Sequence, residues 1–92
     1  MKKNQFLKRS KNIQQNVASY FAVFEPAEEG SYNVSFPDFP GCVTFGKNFE
    51  EAKEKAKEVL GLWIEELVAE NATIPLHPAR PIIDQVNIAL PV

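Results

Sequence analysis

Between Phe49 and Val68, apolar residues recur at three- and four-residue steps: Phe49, Ala52, Ala56, Val59, Leu60, Trp63, Ile64, Leu67 and Val68. That period puts them on one side of an α-helix roughly five turns long. The opposite side carries Lys55, Glu58, Glu65 and Glu66. Burying each larger side chain of the stripe is worth about 1.5–3 kcal/mol, before the entropy cost of ordering it. No other part of the sequence offers as much apolar surface, so the fold must cover this face. The helix ends are also marked. Asn48 suits the N-cap, and Glu51, three positions later, answers it in the manner of a capping box. Glu50 and Glu51 place negative charge at the positive end of the helix dipole. Glu51 and Lys55 form a favourable i,i+4 pair worth about 0.2–0.5 kcal/mol. Asn71 ends the helix. Gly61 weakens it by about 1 kcal/mol relative to alanine, which suggests close approach of the backbone to a sheet or a partner.

The residues before the helix read as strands. Val17 to Phe24 alternates with apolar residues in both sets, as in a strand covered on much of both faces. Pro26 ends it, and Ala27 to Ser31 forms a hairpin loop in which Gly30 is free to take positive φ. Tyr32, Val34 and Phe36 alternate with Asn33 and Ser35, giving one apolar and one polar face. Pro37-Asp38-Phe39-Pro40-Gly41 then interrupts the ladder. It reads as a rigid bend in which Asp38 accepts backbone hydrogen bonds, with Phe39 exposed as a candidate interface anchor. Cys42 to Phe45 resumes a short strand that Gly46 closes. After the helix, Pro75, Pro78 and Pro81 space a connector every three residues, which suits an extended, polyproline-like path. Ile82 to Leu90 is the expected last strand. Ile82, Val86, Ile88 and Leu90 are its apolar alternates, Asp84 is the exception, and Pro91 stops it. The expected fold is α+β, in the order β-β-β-α-β. A three-stranded antiparallel meander is joined by a fourth strand after a right-handed crossover through the helix, which packs on one face.

With 92 residues and 10.4 kDa, the chain has room for one domain and little room for a deep catalytic cleft. No apolar run approaches the ~18 residues of a membrane span, and no apolar stretch follows the basic start as in a secretory leader. One cysteine, Cys42, excludes an internal disulfide framework and points to a reducing cytosol. Charge is uneven. Residues 1–16 hold Lys2, Lys3, Lys8, Arg9 and Lys11 without an acid, and read as a flexible basic arm whose Phe6, Leu7 and Ile13 offer local docking points. Residues 17–92, the single domain, hold five basic and twelve acidic residues, a balance of −7. Such a body disfavours nucleic acid as a direct ligand and suits a basic protein partner.

Catalytic chemistry finds little to work with. Cys42 reads as a small core residue and His77 as a surface residue without an acidic neighbour to fix its tautomer. There is no phosphate-binding glycine loop. A metal-dependent hydrolytic centre would have to gather Asp38, Asp84 and a helix glutamate, and no spacing brings these together. No catalytic residue, metal ligand or cofactor is therefore assigned.

The run Tyr32-Asn33-Val34-Ser35-Phe36-Pro37-Asp38-Phe39-Pro40-Gly41-Cys42, followed by Thr44, Gly46 and Glu50-Glu51-Ala52, resembles the HicB antitoxin family. The strand near Tyr20 to Phe24 and Ile74-Pro75 after the helix extend the likeness over residues 18–80. The resemblance implies a degraded ribonuclease-H-like fold. It also implies a binding protein that occludes HicA, a small toxin that resembles a double-stranded-RNA-binding domain, uses a histidine and cleaves messenger RNA. The antitoxin itself performs no chemistry. Many family members carry a DNA-binding segment after the core; here the sequence stops at Val92, and direct operator binding is not expected.

These readings lead to a cytoplasmic antitoxin whose partner contacts are Asp38 and Phe39 on the bend and Glu58, Glu65 and Glu66 on the helix. The exposed last strand suggests a homodimer through residues 82–90. Two other functions stay open: a stand-alone homo-oligomeric module with another partner, and a residual metal-dependent nuclease of ribonuclease-H type.

Overall fold

The computed structural model describes residues 17–76 and 80–91. The basic arm of residues 1–16 and His77 lie outside the described residues. The order of elements is β1 (Val23–Pro26), β2 (Tyr32–Ser35), β3 (Val43–Gly46) and α1 (Phe49–Ala69). The three strands form an antiparallel sheet in the order β1-β2-β3, as the meander reading expected. Val34 faces Phe24 on one side and Thr44 on the other. A short 3-10 turn, Glu28–Gly30, joins β1 to β2. It is closed by the Ala27 N–H donating to the Ser31 carbonyl at 2.8 Å. Glu29 and Gly30 both take positive φ there, at 57° and 80°.

α1 lies against one face of the sheet. Val34, Phe36, Phe39, Cys42, Ala52 and Ala56 form the buried core, and Val59, Leu60, Trp63, Ile64 and Leu67 pack around it. The two alanines let the helix come close. A Cβ on Gly46 would lie 2.3 Å from the Ala52 nitrogen, so only glycine fits where β3 passes under α1. The N-terminus is capped as expected, with Asn48 Oδ1 accepting from the Glu51 N–H at 2.8 Å. Glu51 differs from the capping-box pattern: its carboxylate accepts from the Lys47 N–H at 2.5 Å, one residue ahead of the cap. The ion pair on this turn is Lys53 with Glu50 at 3.7 Å. At the other end Asn71 takes φ 57°. The Asn71 N–H donates to the Val68 carbonyl and the Ala72 N–H to the Leu67 carbonyl, a Schellman-type stop with asparagine in the left-handed position.

Three expectations are corrected. The first strand begins at Val23, not Val17, because β2 offers it partners only from Ser35 back to Tyr32. Gly61 does not approach the sheet, since a Cβ there meets nothing within 4 Å. The fourth strand is not formed: residues 80–91 carry no regular structure and are exposed throughout. Alternation marks a segment as able to pair, but pairing also needs an edge, and here the segment runs clear of its own sheet. The described residues therefore hold three strands and one α-helix, an α+β arrangement without the crossover strand.

Candidate functional site

The bend between β2 and β3 is built from two successive turns. The Phe39 N–H donates to the Phe36 carbonyl, and the Cys42 N–H donates to the Phe39 carbonyl, each at 3.0 Å. The turns point Phe36, Phe39 and Cys42 inward. Gly41, at φ 94°, completes the reversal, and Trp63 of α1 lies 3.5 Å from where its Cβ would stand. Phe39 is thus not exposed. It is 4% accessible, and its ring meets Tyr20 edge-on with centroids 5.0 Å apart. As a surface anchor it is corrected; its place is to support the bend from beneath. Asp38, beside it, is half-buried and engaged. The three-residue rhythm of Phe36, Phe39 and Cys42 was the signal that sequence reading passed over: turns that repeat every three residues bury one side.

Glu58, Glu65 and Glu66 all stand exposed on α1. Glu58 and Glu66 flank Leu62 by one helical turn on either side, and Leu62 is itself 60% accessible. Residues 58–70 of the sequence contain four glutamates and neither lysine nor arginine. The outward face of this half-helix is therefore an apolar side chain ringed by negative charge. Trp63 ties the helix to the bend, so Asp38 shares a rigid support with this face although it belongs to a different element.

The open face of the sheet is the other exposed surface. Val43 and Phe45 on β3 project there beside Asn33 and Ser35. Among the described residues no three His, Cys, Asp or Glu side chains are grouped so as to hold a metal ion. Asp84 is turned to its own backbone, accepting from the Gln85 N–H at 2.7 Å. The set Asp38, Asp84 and a helix glutamate, weighed for a nuclease, is not brought together. Cys42 is a free, buried thiol, and burial raises its pKa above the ordinary 9.0, the opposite of what a nucleophile needs. No described helix is long and apolar enough to cross a membrane.

A family model described as a HicB-like antitoxin of bacterial toxin–antitoxin systems matches residues 20–91. The chain belongs to the HicB-like antitoxin family. Among its relatives is Antitoxin HicB 1 of Photorhabdus laumondii, 42% identical over 73 residues, a match covering 79% of this chain and 46% of that protein. Antitoxin HicB of Escherichia coli K12 is 40% identical over 57 residues, covering 62% of this chain and 41% of that protein. A UPF0150 protein of Thermoplasma acidophilum is 38% identical over 63 residues, covering 68% of this chain and 91% of that protein. The HicB-like chain thus spans less than half the length of the two HicB antitoxins and matches nearly all of the Thermoplasma protein. The family match takes in the inward-turning bend, the acidic helix and the exposed segment after it alike.

Proposed function

We propose that this chain is the antitoxin of a toxin–antitoxin pair in the cytoplasm, binding and occluding a small, basic, RNA-cleaving toxin of HicA type without chemistry of its own. The observation that carries this reading is the acidic outer face of the C-terminal half of α1: Glu58, Glu65 and Glu66 flank the exposed Leu62, with no basic residue between positions 58 and 70. A toxin that binds RNA must present positive charge to phosphate, and a negative surface with an apolar centre competes for that same patch. Complementary charge speeds encounter and selects the partner, while the apolar centre supplies affinity that salt does not screen. Asp38 adds a further acid on a bend that Phe39 and Trp63 hold rigid.

The family likeness supports a toxin as partner. The relatives named as antitoxins are longer than this domain, so the partner's identity is part of the proposal. A degraded ribonuclease-H-like architecture belongs to it too, with residues 82–90 supplying the missing strand, as does a homodimer. The reading is tested by co-expression with the basic protein encoded next to this chain. Growth arrest by that protein should be relieved by the wild-type chain and not by a Glu58→Lys, Glu65→Lys, Glu66→Lys variant that stays folded. Relief by both would overturn the acidic face as the binding surface.

A stand-alone binding module is the second reading. It is favoured by the Thermoplasma relative, 91% of whose length is covered by its match to this chain. Co-purification from the native host separates the two readings by the partner recovered.

A further inference from the structure

Residues 82–90 show the two-residue alternation of a strand, yet the apolar set is bare. Accessibility runs from 69% at Leu90 to 91% at Ile82. At the same time, residues 17–22 carry no regular structure ahead of β1, and β1 is an edge strand of the described sheet. Between this stretch and α1 runs an open groove of about 750 Å³, lined by Val17, Tyr20, Leu60, Gly61, Ile64 and Ile74 among others. The described residues therefore hold both a strand-patterned segment that pairs with none of them and an open groove beside a sheet edge.

We infer that residues 82–90 form an exchange arm, which docks beside residues 17–24 and into the α1 groove of a second copy of this chain, while the second copy's arm docks in return. Four observations favour that occupant. The arm has nine residues for an edge stretch of eight. Its apolar alternates Ile82, Val86, Ile88 and Leu90 share one face, interrupted by Asp84, as suits an edge-added strand. The only charge within the arm is Asp84, and the only charged residue lining the groove among the described residues is Lys57. Gly61, which weakens the helix and where an added Cβ would meet open space, lies in the groove wall, where a bare backbone admits an incoming strand. Leu76 lines one end of the groove, and Tyr20 holds the residue before it by donating its hydroxyl hydrogen to the Pro75 carbonyl at 2.5 Å. The proline spacing beyond favours an extended path over a reversal onto the same groove. Mutual exchange is a closed, two-fold arrangement and so stops at a dimer.

The inference rests on the homodimer proposed above and is read on the isolated full chain, without a toxin. Sedimentation at tens of micromolar should give twice the 10.4 kDa chain mass. Two variants each leave the single chain intact: Val86→Glu on the exposed arm, and Gly61→Phe, which fills open space in the groove wall. Each alone should weaken dimerisation by about a hundredfold, because one buries an unpaired charge and the other closes the groove. Mixed in equal amounts they should recover a dimer of intermediate affinity, since one copy retains a working arm and the other a working groove. Arm-against-arm pairing would give no such recovery. A dimer indifferent to both substitutions, or a mixture that stays monomeric, overturns arm exchange alone. A monomeric wild-type chain overturns the homodimer as well.

Discussion

The strands of the sheet and the segment from Ile82 to Leu90 share one rhythm, apolar residues at every second position, and the structure treats them oppositely. In β2, Val34 is 2% accessible, sealed between Phe24, Thr44 and the helix; in the arm, Val86 is 83% accessible. The difference is not composition but company. β2 has a partner strand on each side and a helix above it, all from the same chain, whereas the arm has none. Periodicity states that a segment can pair and which of its faces will be buried. It does not state whose edge it will pair with.

Substitutions on each side sharpen that contrast. The largest effect belongs to the sheet and its bend: Phe39→Ala should cost about 3–5 kcal/mol in urea unfolding, because it empties a site between Tyr20 and the core. Had Phe39 been the surface anchor its sequence position suggests, the loss would fall on partner binding instead. Gly46→Ala comes next, at about 1–3 kcal/mol, since its new Cβ meets helix backbone that cannot swing aside. Asn48→Ala should cost about 1 kcal/mol through the lost cap bond to the Glu51 N–H. At the foot of the scale, Ile83→Ser on the polar side of the arm should stay within about 0.5 kcal/mol of wild type. A loss near that of Phe39→Ala would mean that the arm is part of the folding core of the single chain.

A pH scan adds a check on the buried side. Burial raises the Cys42 pKa in the folded chain, so the folded state holds the thiol proton where the unfolded chain, titrating near 9.0, releases it. The associated stability is complete below that pH and is lost as pH rises toward the folded value. Cys42→Ala should flatten this alkaline decline, and thermal melts between about pH 7 and 10 would show it.

The contrast also explains what was legible in the sequence. The extent of the helix was readable, because its signals are local: a 3.6-residue stripe, an asparagine cap at Asn48, and Asn71 at the end. The strand order of the meander was readable for the same reason, since short turns leave adjacent strands little choice. The fate of Phe39 was not, because burial of a bend is decided by Tyr20 and Trp63, which are distant in sequence. Gly61 was read as a close approach to the sheet or a partner, and the sheet is not near it, because which face of a helix meets the sheet is set by distant strands and not by the glycine itself. Of the candidate contacts, Glu58, Glu65 and Glu66 stand exposed as read. Their gathering around Leu62 needed the helix to be in place with Leu62 turned outward.

The proposed role rests on a negatively charged helix face that binds a basic partner without a reaction of its own. The most direct test is the dissociation constant of the purified chain for the proposed basic toxin partner, measured by titration calorimetry from about 50 to 500 mM salt. The claim predicts tight binding that weakens steeply with salt, with Glu58→Lys, Glu65→Lys, Glu66→Lys losing both the affinity and its salt dependence. An affinity unchanged across that range, and equal in the charge-reversed variant, would contradict it.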